Sequence, residues 1–164
     1  GEGDSKGLEL FLRKRMSRNW QAWMSYTYQK SKANSQTEFY PIFGSPDVNW
    51  FTSWDQRHTL ALVTDYRRGV WGHNLRFDFG SGLADIWSPE DSAAQDRANP
   101  HVVVSYTLSR QLPVSTLLGD SVYLSIFNVF NTHQTVQYDW KKGERVRSSW
   151  VPSRFISLGV QRAF

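Results

Sequence analysis

Apolar and polar residues alternate along most of this chain with a period of two, the pattern of strands whose two faces meet different surroundings. Leu8, Leu10 and Leu12 oppose Glu9, Phe11 and Arg13. Trp20, Ala22, Met24, Tyr26 and Tyr28 then oppose Gln21, Trp23, Ser25, Thr27 and Gln29. His58, Leu60, Leu62, Thr64 and Tyr66 continue the pattern, and Trp71, His73, Leu75, Phe77 and Phe79 oppose Asn74, Arg76 and Asp78. Val102, Val104, Tyr106 and Leu108 form a fifth series, Val122, Leu124 and Ile126 a sixth, and Ile156, Leu158 and Val160 a seventh. About seven strands of roughly 9–13 residues are predicted, longer than the ~5–6 of ordinary soluble strands and near the ~9–11 of a tilted membrane strand.

The connections differ in length. Short turns are predicted after the first strand (16–18) and the third (67–70). Long polar loops follow the second (about 30–56), the fourth (about 83–99) and the sixth (about 131–153). The fifth-to-sixth link, SRQLPVSTLLG, is intermediate. Ser88, Pro89 and Asp91 have the order of a helix N-cap and first turn, so a short helix is expected there. Short turns at one end and long loops at the other characterise outer-membrane barrels. A soluble sandwich would alternate as well, with its apolar face inward. Strand length and aromatic placement favour lipid: Trp20, Tyr66, Trp71 and Phe164 fall at the short-turn end and Tyr28 at the other, where amphipathic rings bridge hydrocarbon and headgroups.

Composition narrows the classes further. Hydrophobic residues make up only 40% of the 164, mean hydropathy is −0.53, and no apolar run approaches the ~18 residues of a membrane helix. The chain has no Cys, which excludes a disulfide framework and thiolate metal sites. Its net charge of +4 comes from scattered basic residues, so no nucleic-acid partner is expected. The opening GEGDSKGLEL lacks the features of a signal peptide, which reads as a processed product or a piece of something longer.

The stretch SWDQRHTLAL brings together Asp55, Arg57 and His58, residue types used in hydrolytic sites. In a strand, alternation sends Asp55 and Arg57 to the polar face and His58 to the apolar one, which splits any triad. Asp55 and Arg57 are therefore expected to form a charge pair or hydrogen-bond network facing a lumen. Arg76 and Asp78 share that face, as wall contacts. His58, His73, His101 and His133 have no metal-site spacing. No catalytic constellation, metal or cofactor is expected. Loop aromatics Trp50, Phe51, Trp54, Trp87, Tyr138, Trp140 and Trp150 are candidates for stacking on a substrate; the competing role is loop packing. The basic segment WKKGERVRSSW suits lipopolysaccharide phosphates or an anionic substrate, and equally a solvated loop.

WDQRHTLAL entering a strand, LSIFNVFN closing another, and the terminal RFISLGVQRAF together resemble the C-terminal barrel region of TonB-dependent outer-membrane transporters. GLELFLRKRMSRNWQAWMSYTYQKS is similar to their strand, tight turn and strand. The resemblance spans essentially all of residues 1–164 as one barrel domain and implies an all-β fold, an antiparallel transmembrane β-barrel segment. It also implies that Ser157, Gly159 and Phe164 belong to the C-terminal signal read by the barrel-assembly machinery, although Arg162 stands where the family usually has an aromatic. The C-terminus would be periplasmic, in the Gram-negative outer membrane, with the long loops extracellular.

Seven strands fall short of the about 22 of a plugged transporter, which makes this chain about the last third of a barrel whose earlier strands and plug are absent. Strands near Leu8–Arg15 and Phe155–Phe164 are expected to pair with backbone outside this sequence, from the barrel's earlier strands, a companion chain or the assembly machinery. The function implied is energised import of a siderophore, cobalamin, glycan or peptide. The implied partners are the TonB system through the plug, outer-membrane lipid and lipopolysaccharide. Three alternatives compete with that function: a structural or adhesive barrel that binds a partner protein without transport, an outer-membrane hydrolase, and a soluble lipocalin-like binder.

Overall fold

The computed structural model describes residues 2–33, 50–52, 54–84, 97–116, 119–141 and 144–162. The expected short helix at 88–91, Trp87 and Phe164 lie outside them. The fold is all-β: β1 (Gly3–Ser17), β2 (Trp20–Ala33), β3 (Trp50–Phe51), β4 (His58–Arg68), β5 (Trp71–Gly80), β6 (His101–Thr116), β7 (Gly119–Phe127), β8 (Thr135–Lys141), β9 (Glu144–Trp150) and β10 (Phe155–Gln161). Seven of these make one antiparallel path, β1-β2-β4-β5-β6-β7-β10, and the two-residue β3 pairs with the end of β2. β8 and β9 form a separate hairpin. Among the described residues β1 pairs only with β2 and β10 only with β7, so the sheet is open at both ends.

Tight turns join β1 to β2 and β4 to β5. Arg18 sits at φ 54° in the first, and Gly69 at φ 58° in the second, a left-handed conformation that glycine adopts without a Cβ clash. The link from 109 to 119 differs from the sequence expectation. It is mostly strand, because β6 runs on to Thr116 and absorbs Pro113 where its register with β7 shifts between Gln111 and Thr116. A proline that cannot donate to the ladder is tolerated at such an irregularity. The long segment after β7, expected as a loop, carries the β8–β9 hairpin.

Cross-strand register builds continuous rows. One runs Leu12, Met24, Leu62, Phe77, Val104, and a second Leu10, Tyr26, Leu60, Phe79, Val102. Toward the tight turns a third runs Trp20, Tyr66, His73, Leu108, Leu124, Leu158. The opposite face alternates with these and carries Gln21, Asp65, Asn74, Arg76, Asp78, Ser105, Thr107, Ser125 and Gly159. Exposure is inverted relative to a soluble sheet. Leu75 is 42% and Leu158 82% exposed on the apolar face, whereas Val63 and Val103, on the polar face, are each 8% exposed. A large uncovered apolar surface is the informative departure from a water-soluble surface.

Candidate functional site

The long loops leave the sheet opposite the tight turns, and two polar clusters root them. The first is built around Asp55. β3 folds back along β2, the Thr52 N–H donates to Ser31 O (3.1 Å), and the Asp55 N–H donates to Thr52 O (2.8 Å). This turn brings the Asp55 carboxylate under the Ser31 N–H, 2.6 Å away. Arg57 Nε donates to Oδ1 at 2.8 Å, and Arg97 Nη2 bonds the same oxygen. Arg97 Nη1 also donates to the backbone oxygens of Asp55 (2.9 Å) and Gly82 (3.3 Å). One carboxylate, 0% exposed, thus ties the end of β2, the start of β4 and the approach to β6.

Burial alone pushes the Asp55 carboxyl up. The Ser31 N–H and the guanidiniums of Arg97 and Arg57 outweigh it and hold the group below the ordinary 3.8. The Phe51 ring lies among the same cations, with Arg57 Cζ 4.3 Å, Lys32 Nζ 4.7 Å and Arg97 Cζ 5.3 Å from its centroid. Phe51 is half-buried against the cluster.

The second cluster centres on Asn128, also 0% exposed, at φ 50° immediately after β7. Its Nδ2 donates to the carbonyls of Thr132 and Pro152, both at 2.9 Å. Its Oδ1 accepts from the Thr132 N–H and hydroxyl, both at 3.0 Å. The Thr132 hydroxyl is also 3.0 Å from Val102 O, and Gln134 Oε1 accepts from the Val102 N–H at 2.8 Å. Arg154 N donates to Asn131 Oδ1 at 2.8 Å. The motif NVFN thus closes a compact knot that joins β6, β7 and β10 and fixes where the β8–β9 hairpin leaves the sheet.

The sheet between these roots is a polar wall on one side. Gln21 Nε2 and Asn74 Nδ2 donate to the two oxygens of Asp65 (3.0 and 2.7 Å), and the Thr107 and Ser125 hydroxyls are 2.9 Å apart. Arg76 meets Asp78 through two 2.7 Å bonds on the same strand. On the apolar side, His58 Nδ1 is 2.8 Å from the Tyr26 hydroxyl and His73 Nδ1 is 2.7 Å from that of Tyr106. His58 is thus engaged on the opposite face from Asp55 and Arg57, which do pair. Among the described residues no His, Asp and Glu side chains group to hold a metal ion.

Of the other residues singled out, Trp54 is exposed and Tyr138 half-buried in β8; the side chains of Trp50 and Trp140 lie outside the described set. Trp20, Tyr66 and Trp71 line up exposed at the tight-turn end, with Tyr28 in a row at the loop end. Ser157 pairs with Ser125. Gly159 pairs with Tyr123, whose ring occupies the space a Cβ at 159 would need. Arg97, Asn128 and Thr132 were not predicted. The signal for Asn128 was the Asn-x-x-Asn spacing at a strand end, where asparagine tolerates the left-handed conformation. No family model, curated protein or solved structure matches this chain.

Proposed function

We propose that this chain is a section of the wall of a TonB-dependent outer-membrane transporter, and that its rooted loops face the substrate of energised nutrient import. The observation that carries this is the inverted sheet: long strands with unbroken apolar rows on the exposed face and hydrogen-bonded polar groups on the other. A soluble protein would have to cover those rows. Lipid solvates them as they stand.

The open edges support the barrel form. An edge strand of ~10 residues presents about five N–H and five C=O groups outward. At several kcal/mol for each group left unsatisfied in hydrocarbon, two such edges would outweigh the ~5–15 kcal/mol stability of a domain. Further strands flanking β1 and β10 remove that cost. The fixed loop roots fit a receptor, because recognition loops need a rigid scaffold beneath them.

The assignment is tested by fractionating Gram-negative cells that express the full-length polypeptide. The protein is expected in the outer membrane, with heat-modifiable gel mobility and nutrient uptake lost when the energy-transducing partner is deleted. Recovery in the soluble fraction would overturn the membrane assignment. Outer-membrane recovery with partner binding but no energised uptake would favour the adhesive alternative. Trp54→Ala and Trp140→Ala are each expected to weaken ligand binding several-fold, on the scale of ~0.5–1.5 kcal/mol for one ring contact, with normal membrane insertion. Unchanged ligand affinity in both variants would assign these rings to loop packing.

A further inference from the structure

Two aromatic rings stand on the polar face of the sheet. Phe11 on β1 and Trp23 on β2 occupy positions that alternation gives to that face, with ring centroids 6.3 Å apart and planes tilted by 31°. Trp23 pairs in register with Arg13 on one side and Val63 on the other, and Phe11 pairs with Ser25. Phe11 is 62% exposed and Trp23 half-buried. An open cavity of about 350 Å³ lies against Phe11, Arg13, Gln21, Trp23 and Asp65, with the Lys14–Ala22 pair at its tight-turn side. That volume falls within the ~300–1,000 Å³ of small-molecule sites. Lys14 Nζ itself sits 4.6 Å from the Trp20 ring. Glu9 and Arg13 flank Phe11 on the same face, each ~7 Å along the strand. No ion pair ties either one to another described residue. Asp65 accepts one bond on each oxygen, from Gln21 and Asn74, and a carboxylate has about four acceptor sites. Arg67 follows Asp65 on that face of β4.

We propose that this patch is a subsite for a neutral sugar ring on the import path, stacked on Phe11 and Trp23 and held at its edge by Glu9, Arg13 and Asp65. The subsite deepens the transporter reading above and rests on it, since that reading makes the polar face a lumen wall. A sugar ring has an apolar C–H face and an edge of hydroxyls, each both donor and acceptor. The two aromatic rings supply the apolar contact. The carboxylates only accept and the guanidinium only donates, so a ring edged with hydroxyls satisfies both kinds of group. Charge selects against ionic ligands. Glu9 and Asp65 balance Arg13 and Arg67, so an anion meets two acids and a cation meets two guanidiniums. The patch is also separate from the loops: Trp23 lies eight residues along β2 from Ser31, ~27 Å from the Asp55 root.

The test uses the full-length polypeptide in detergent micelles with 5-fluorotryptophan in place of tryptophan, the Trp23 fluorine resonance being identified by its loss in W23F. Maltohexaose, cellohexaose and laminarihexaose are titrated as neutral probes, and at least one is expected to shift that resonance saturably. F11L keeps an apolar side chain without the ring and is expected to weaken the affinity about fivefold, the scale of one ring contact. F11Y, which returns a ring, is expected to restore it, and E9Q/R13Q to weaken it by a similar factor. No saturable shift with any of the three sugars, or an affinity unchanged in both F11L and E9Q/R13Q, overturns the subsite and leaves the transporter reading intact. Tighter binding of benzoate, choline or tetra-alanine at Trp23 than of every sugar overturns the ligand class. Recovery of the polypeptide in the soluble fraction of cells overturns the transporter reading and the subsite with it.

Discussion

Replacing Asn128 with Ala is expected to destabilise the protein by about 3–5 kcal/mol. The side chain makes four hydrogen bonds from a fully buried position. Truncation takes these partners from the Thr132 and Pro152 carbonyls and the Thr132 N–H; because Pro152 is exposed and Thr132 half-buried, water replaces part of the ~1–3 kcal/mol that a fully unsatisfied group costs, which leaves about 2–3 kcal/mol in all. The φ of 50° adds about 1–2 kcal/mol for Ala, which lacks the local bonding that lets asparagine sit there. Asn128→Gly separates the two contributions: it keeps the side-chain loss and removes most of the backbone penalty, so it should recover about 1 kcal/mol. Urea unfolding followed through tryptophan fluorescence measures both. A loss below about 1 kcal/mol in Asn128→Ala would mean that solvent replaces the side chain and that the knot does not anchor β10.

Asp55→Ala is expected to cost about 2–4 kcal/mol. Removing the acid from a buried ion pair strands its partners, a change usually worth ~3–5 kcal/mol, but here the Arg57 and Arg97 side chains retain 21% and 27% exposure and can turn toward water. Asp55→Asn should cost less, since an amide oxygen still accepts from Ser31. The carboxyl also gives the cluster a pH dependence of known sign. Its pKa is lower in the folded protein than in the unfolded chain, so its contribution is complete above the ordinary 3.8 and is lost as pH falls below that, through the folded value. Hydrogen exchange at the Ser31 amide should accelerate over that acid range in the wild type. In Asp55→Asn the step should be missing. An identical acid profile in both proteins would show that Asp55 does not hold the loop root.

The period-two pattern made the sheet legible. Leu75, Phe77, Phe79, Val102, Val104, Leu124, Ile126 and Leu158 share one face, with Asn74, Arg76, Asp78, Ser105, Ser125 and Gly159 on the other, because antiparallel register leaves each strand only two choices. The separation of His58 from Asp55 and Arg57 followed from the same alternation. What pattern could not supply was contact at long range. Arg97 reaches Asp55 across 42 residues, and no local period marks it as a partner. The β8–β9 hairpin is hard to read from pattern because its strands, Thr135–Lys141 and Glu144–Trp150, are only seven residues each, Glu144–Trp150 is mostly polar, and the ladder slips at Gln137. The SRQLPVSTLLG stretch reads as a connection of intermediate length, whereas β6 continues through Pro113 to Thr116 across a local irregularity. The polar clusters rest on turn chemistry and backbone carbonyls, which hydrophobic patterning does not encode.

If the chain is barrel wall, as proposed, the apolar face of this sheet meets lipid and the polar face meets water. These 164 residues contain no cysteine; with any cysteine elsewhere in the full-length polypeptide replaced by serine, single cysteines can be introduced here and labelled with a nitroxide. In the full-length polypeptide reconstituted into bilayers, labels at Phe77, Val104 and Leu124 should collide freely with oxygen and rarely with a water-soluble nickel chelate. Labels at Ser25, Ala61 and Ser105 on the opposite face should show the reverse, so that accessibility alternates with a period of two along each strand. Shielding of the first three positions from both reagents, as inside a closed apolar core, or an accessibility without alternation, would rule out a lipid-facing sheet.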